Sequence, residues 1–474
     1  MRFLALTALI IAAPAMAKDF AIVLQDQTAL RPAARASVRP NALLAQGETV
    51  EVRGERLDYL QVYDYRRERG GYVRASQLRR VRLQPDEAPE LLSVLRFLRA
   101  TPGSEALGIA FAAAYVEAAP AEVLNSEAGV EALEALGTLA ERLARRRTSA
   151  HMDIAARYGV HFITYERNGR MQLCYDGAAF RKVLAMPATP EQRARAALAL
   201  TRPECINADL APLERRRVDE TRAEALDRVD ESKLSGYLKN RVLMRRTAVW
   251  ASLAYQRARH GKDATDDATH AATRALAALA GINKTELTEE DAPAYSEAAM
   301  RANASRWAAV AAPEIIDRKA LHIVTATGEP GETCVQLVAN QKTLARRCTY
   351  ALVWAASATM NREGTAFALA VQPTDSWREL WIFRKTPKGW TVRILPPAST
   401  TPDVGYAEFA GWVPGGNRVL VAREALGAGK PTRQFELLAL DSLAPIRRAS
   451  EPARLADLRR WQDPSWKRET LSLR

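Results

Sequence analysis

The chain is 474 residues long, 48% hydrophobic and 26% charged, and its 68 lysines and arginines against 55 acids leave a formal net charge of +13. Its most apolar runs, Phe3 to Ala13 and Ala106 to Val116, are each too short to cross a bilayer as a helix, which excludes a transmembrane segment. Arginine outnumbers lysine 56 to 12, a bias that GC-rich coding accounts for; the position of the charge is more informative than its sum.

Residues 1–17 carry the three parts of an export signal: Arg2, the short apolar stretch, and the small-x-small pattern Ala15-Met16-Ala17 before Lys18. Cleavage after Ala17 is expected, with no cysteine at the new N-terminus to take a lipid, and the expected address is periplasmic or secreted. Nucleic acid is then not a partner. An oxidising compartment favours pairing of the four cysteines. Of three connectivities, sequence locality selects Cys174–Cys205 and Cys334–Cys348. The second pair flanks strands symmetric about Gln341, so a hairpin would set its sulfurs face to face. No Cys-x-x-Cys occurs, which argues against a redox motif or a zinc knuckle.

Residues 28–81 read as short strands: Ala29-Leu30-Arg31-Pro32, Gly47-Glu48-Thr49-Val50-Glu51-Val52, Tyr59-Leu60-Gln61-Val62-Tyr63 and Gly71-Tyr72-Val73. Val50, Val52, Leu60 and Val62 alternate with polar residues, and Gln46-Gly47 and Glu68-Arg69-Gly70-Gly71 supply turns. The order of these elements resembles the bacterial SH3 (SH3b) family, with Tyr59-Leu60-Gln61-Val62 at a Trp-x-x-Val strand and Gly71-Tyr72-Val73 at a Gly-Trp-Val strand. The resemblance implies a small five-stranded β-barrel over 18–84 that binds wall peptides or other proteins. Residues 30–82 hold twelve arginines and six acids, half of the mature excess charge, which suits an anionic cell-envelope component or a periplasmic protein. The candidate binding residues are Arg66, Arg67 and Arg69 in a polar turn, with Tyr59, Tyr63 and Tyr72.

From 88 to 318 the spacing is helical. Leu91, Leu92, Leu95 and Leu98 make one apolar stripe, and Val130, Leu133, Leu136, Leu139 and Leu143 make another. One hairpin, 160–175, interrupts the helices at Asn168-Gly169. This stretch is expected to be one α-helical domain stapled by Cys174–Cys205. Residues 321–474 are strand-like and hold seven of the nine tryptophans. Tyr350 to Val371 and Tyr406 to Arg423 look alike, in a way that resembles blades of TolB-like or WD-type β-propellers. About 155 residues allow only three such units, so an antiparallel meander, a sandwich or an incomplete propeller-like array is expected. The fold class is therefore multidomain α+β.

Candidate chemistry is sparse. The five histidines have no metal spacing, no Gly-x-Ser-x-Gly elbow occurs, and the paired acids sit where helix capping explains them. Gly427-Ala428-Gly429-Lys430 reads as a hairpin loop, since Pro431 occupies the place of a phosphate-loop hydroxyl residue. No catalytic residue, metal site or cofactor is assigned. The expected function is a periplasmic, non-catalytic binding or scaffold protein of the cell envelope. The alternative is an SH3b-targeted cell-wall hydrolase with its active site in the helical domain. Mass spectrometry of the protein from its native host should find the N-terminus at Lys18; an intact Met1 on the abundant form would remove both the address and the argument for disulfides.

Overall fold

The computed structural model of the protein describes residues 19–167, 169–259, 265–311, 320–399, 404–427 and 430–464. The signal-like segment 1–17, Asn168 of the expected hairpin turn, the expected helical end at 312–318, Ala428 and Gly429 of the expected loop, and Trp466 lie outside the described residues. Helices and several antiparallel sheets are both present, as expected of a multidomain α+β chain. No helix among the described residues is long and apolar enough to cross a membrane. The chain divides into two units between Ala208 and Asp209. That boundary falls inside the stretch 88–318, which the sequence suggests as one helical domain. Helical periodicity shows that a face is apolar but not which partner buries it.

The first unit opens with seven strands, β1 (Asp19–Val23), β2 (Thr28–Leu30), β3 (Ala42–Leu44), β4 (Thr49–Arg56), β5 (Tyr59–Asp64), β6 (Arg69–Arg74) and β7 (Leu78–Val81). Five form a sheet in the order β6-β5-β4-β1-β7, and β2 pairs β3. The alternation read in the sequence sets the core: Val50, Leu60, Val62 and Val73 point inward with Ala21, Val23, Leu30 and Leu44. β1 lies before residue 28, where the strand pattern became legible, yet it joins β4 to β7.

Helices α1 (Ala88–Ala100), α2 (Glu105–Ala118), α3 (Ala121–Leu124), α4 (Glu127–Arg146) and α5 (Ser149–Arg157) follow, then the hairpin β8 (Phe162–Arg167) and β9 (Arg170–Tyr175), then α6 (Ala178–Ala185) and α7 (Pro190–Leu200). Gly108 lets α2 approach α4, since a Cβ there would sit 2.6 Å from a methyl of Leu139. Ser126 caps α4 by accepting from Ala128 N–H, and Thr189 with Gln192 closes a capping box on α7. The Cys174–Cys205 disulfide ties β9 to the turn after α7.

The second unit begins with α8 (Pro212–Asp227), α9 (Gly236–Ala258), α10 (Thr265–Ala280) and α11 (Ala292–Ser305). A three-stranded antiparallel sheet follows, β10 (His322–Thr327), β11 (Thr333–Ala339) and β12 (Lys342–Thr349), in which Cys334 stands opposite Cys348 and is bonded to it. Two four-stranded antiparallel meanders come next. The first is β13 (Leu352–Met360), β14 (Ala366–Thr374), β15 (Trp377–Thr386) and β16 (Gly389–Leu395). The second is β17 (Val404–Val413), β18 (Arg418–Gly427), β19 (Lys430–Ala439) and β20 (Pro445–Ala449), with α12 (Ala456–Trp461) after it. The two alike stretches of sequence are the opening hairpins of these meanders.

Strand periodicity stacks the sheets as layers. Phe367, Leu369, Val371, Trp381 and Phe383 pack on Val335 and Leu337 of the three-stranded sheet. The alternate residues Ala366, Ala368, Leu380 and Ile382 face Ala407, Phe409, Val419 and Val421 of the second meander. That meander's other face, with Tyr406, Leu420, Phe435 and Leu437, is covered by Met300 and Ala304 of α11 and by Leu455 and Leu458 at α12. Each large apolar side chain so buried contributes about 1.5–3 kcal/mol.

The two meanders touch along a short parallel contact, Trp377 with Gly405 and Arg378 with Tyr406. A buried ion pair sits there. Arg378 Nη2 lies 2.5 Å and Arg306 Nε 3.0 Å from Glu408 Oε2, with all three residues almost fully buried. Burial alone would raise the Glu408 carboxyl, but Arg306 and Arg378 outweigh it and hold it below the usual carboxylate range. Its contribution is complete above that range and is lost as pH falls through the lowered folded value. Glu408→Gln should therefore cost the second unit about 3–5 kcal/mol by leaving two buried cations without a counter-charge. All nine tryptophans lie from Trp250 onward, so the urea midpoint followed by tryptophan fluorescence reads this unit; the variant's midpoint should also depend less on pH below about 4.

Candidate binding surface

The five-stranded sheet region of the first unit carries two buried acids, Glu48 and Asp64, each placed by a turn. Glu48 follows Gly47, whose φ of +86° favours glycine. Asp64 ends β5 and accepts the Arg66 N–H at 2.9 Å. Arg67 reaches Glu48 at 2.8 Å and Asp64 at 2.7 Å, and Arg66 reaches Glu48 at 3.2 Å. Hydrogen bonds to Glu48 and then Asp64 hold the Arg67 guanidinium charged beyond its ordinary range, against the opposing effect of burial. Arg69 donates to the carbonyls of Arg67 and Asn41 at 3.3 and 3.2 Å. The three arginines expected as free turn charges are thus engaged in closing the turn, because buried acids and open carbonyls lie beneath them.

The five-stranded sheet region is fixed to the helices of its own unit. The Tyr158 hydroxyl, just past α5, donates to the Gly47 carbonyl at 2.7 Å and lies 2.5 Å from Thr49 Oγ1. Burial pushes the Tyr158 hydroxyl up. His151 of α5 meets both oxygens of Asp26 at 2.9 and 3.1 Å. Burial would raise the Asp26 carboxyl, and the bonds from His151 and from the Gln46 N–H hold it low.

With Val62 and Val73 inward, the neighbouring residues Gln61, Tyr63 and Tyr72 fall on the outer face. Tyr63 stands opposite Gly70, and Tyr72 opposite Gln61, so the two rings are diagonal neighbours on one face. The Arg53 guanidinium lies 3.9 Å from the Tyr63 ring centroid, and Tyr65 meets Tyr63 edge-on at 5.0 Å. Glu51 holds this group in place, accepting from Arg53 and from the Tyr65 hydroxyl, each at 2.9 Å. Backbone bonds between Arg31 and Tyr72 set the root of the β2–β3 loop beside Tyr72, and that loop carries the exposed Arg35 and Arg39. Tyr59 is elsewhere. It is 3% exposed, with its hydroxyl accepting from Arg74 Nε at 3.4 Å.

Of the six expected residues, Tyr63 and Tyr72 share an accessible face, Arg66, Arg67 and Arg69 tie down the turn, and Tyr59 is buried. Arg53, Tyr65, Arg35 and Arg39 were missed. The phase of Glu51 and Arg53 against Val50 and Val52 was a signal that could have found Arg53. An arginine over an aromatic shelf presents planar, cationic and hydrogen-bonding surface, suited to peptide groups and carboxylates.

Among the described residues, two clusters of candidate metal-binding or catalytic side chains are bonded internally. Among the described residues the one cluster with metal-ligand spacing is Glu332, Cys334 and Cys348, whose sulfurs are bonded to each other. In the helical stretch, Asp219 is fully buried and accepts from Arg222, Ser252 and Gln256 at 2.6, 2.9 and 2.7 Å. No protein-family model, no curated protein and no solved structure matches the chain.

Arg67→Gln should destabilise the five-stranded sheet region by about 2 kcal/mol, below the full cost of a broken buried pair because the guanidinium is partly exposed. Hydrogen exchange of peptides from β4 to β6 should rise in this variant and stay at wild-type levels in Tyr72→Ala.

Proposed function

We propose that the protein is an exported binding or scaffold component of the bacterial cell envelope. In this reading the barrel is an SH3b-type module and the three stacked sheets are an incomplete propeller-like array capped by helices. The observation that carries the proposal is the outer shelf of the barrel, where Arg53 covers Tyr63 and Tyr63 neighbours Tyr72. Its partner would be a wall peptide or an envelope protein offering carboxylates, met by the rings and by Arg35 and Arg39 of the adjoining loop. Attachment to α5 through Tyr158 and His151 supports a fixed platform. The hydrolase reading is the weaker one, because the buried Ser252 and Asp219 are bonded to each other and to arginine or amide partners.

Co-sedimentation with purified peptidoglycan sacculi, and capture of solubilised envelope protein in parallel, tests the proposal. Binding should weaken with salt, as contacts of exposed charges do. It should fall about tenfold in the double variant Tyr63→Ala, Tyr72→Ala, which removes two stacking rings. Binding indifferent to salt and to both tyrosines, or release of soluble wall fragments by the purified protein, would defeat it.

A further inference from the structure

A separate feature lies on the three-stranded sheet of the second unit. Val335 and Leu337 pack on the first meander, so Cys334 and Gln336, which alternate with them on β11, lie on the opposite face of the sheet. Cys348 stands directly across from Cys334 on the edge strand β12, and the two are bonded. The sequence has no Cys-x-x-Cys, and strand register alone brings this pair together. The ladder does not need the bond. Thr333 with Thr349, Val335 with Arg347, Gln336 with Arg346 and Leu337 with Ala345 hold the same register on either side of it. Opening the disulfide therefore leaves the hairpin paired.

Its two sulfurs are unlike. Cys334 is fully buried, and the turn after β10 lies over it, since a Cβ at Gly328 would sit 2.9 Å from its sulfur. Cys348 is partly exposed. Arg346, two residues before Cys348 and on the same face of β12, donates from Nη2 to Cys334 Sγ at 3.0 Å. A carboxylate oxygen of Glu332 lies within 4.8 Å of both sulfurs and opposes that cation. A guanidinium beside a sulfur favours the thiolate over the thiol, and a thiol of lower pKa leaves faster in exchange. The open sulfur is thus the one to be attacked, and the covered one is prepared to leave.

The other disulfide is arranged the opposite way. Arg202 Nη2 lies 2.9 Å from the sulfur of the partly exposed Cys205 and 3.8 Å from that of the buried Cys174. Its charge is shared with Glu141 and Glu204, at 3.2 and 3.1 Å. Cys205 lies outside any strand, so no ladder holds the two ends of that bond together.

We propose that Cys334–Cys348 is a redox-active disulfide that exchanges with an external dithiol. A thiolate of the dithiol attacks Cys348 Sγ, the bond between the two cysteines breaks, and Cys334 leaves as a thiolate held by Arg346. The second thiolate of the dithiol then attacks its partner sulfur in the mixed disulfide and displaces Cys348. The dithiol is oxidised by two electrons to a disulfide, and its two protons pass through solvent to Cys334 and Cys348. This chemistry rests on the second unit alone and not on the proposed wall-binding face.

Treating the full-length protein with dithiothreitol in native buffer, with alkylation at intervals and peptide mapping, reads each cysteine separately. Cys334 and Cys348 should be labelled at least about tenfold faster than Cys174 and Cys205. Glutathione, a monothiol, should be trapped as a mixed disulfide on Cys348. Arg346→Met should slow the opening about fivefold, Arg346→Lys should keep most of the rate, and Glu332→Gln should raise it. Tryptophan emission, which reads this unit, should keep its folded maximum as the bond opens. The proposal is overturned if both disulfides open at one rate, if glutathione is found on Cys334, if Arg346→Met opens as fast as the wild type, or if opening unfolds the unit.

Discussion

The second unit depends on one ion pair shared three ways. Glu408 on β17 receives Arg378 from β15 and Arg306 from the turn after α11, so the first meander, the second meander and the helical layer meet at a single carboxylate. The parallel contact between the meanders is only two residue pairs long. Apolar faces would tolerate sliding of one sheet on the other, since dispersion contacts are non-directional. Charge-assisted hydrogen bonds are directional. Removing three charged groups from water is expensive, and an apolar replacement could be as stable; the arrangement is best understood as fixing the register of the layers. The Arg378 guanidinium, 5.3 Å from the Tyr406 ring centroid, extends the same lock to a hydroxyl bonded to Glu424.

The same logic recurs and explains where much of the arginine goes. Glu105 is almost fully buried and is met by Arg142 at 2.8 Å and Arg146 at 2.9 Å. Glu436 is met by Arg423 at 2.7 Å and Arg448 at 2.8 Å. Glu134 is approached by Arg99 and Arg195. Each of these three acids has more than one guanidinium, whose rigid fork can satisfy several acceptors at once. The basic character of the chain is therefore in part an internal matter, and charge counted along the sequence overstates what the surface offers a partner.

Local features were the legible ones. Alternation at Val50, Leu60, Val62 and Val73 gave the core of the N-terminal strands, Gly169 lay at the turn of the hairpin, and proximity along the chain gave both disulfides. Each of these is set within a few residues. What stayed hidden depends on distant partners. β1 has only Phe20 to Val23 to announce it, and its role comes from pairing with β4 and β7. The stripes of α1 and α4 do not say which partner buries them. Arg66, Arg67 and Arg69 look like solvent-facing charges until Glu48 and Asp64 are brought beneath them. The outer face of Tyr63 and Tyr72 was half visible, because strand parity is local, whereas the burial of Tyr59 on the same strand is not.

A stack of sheets that does not close on itself leaves strand edges, and exposed edges are where proteins join into fibrils. β20 lies at one end of the eight-stranded sheet and is guarded by Pro445, which offers no N–H, and by Arg447 and Arg448. β12 ends the three-stranded sheet with Lys342, Arg346 and Arg347. Like charges on two such edges would repel before the backbones could pair. The proline and the basic side chains of these outermost strands thus oppose edge-to-edge pairing with a further strand.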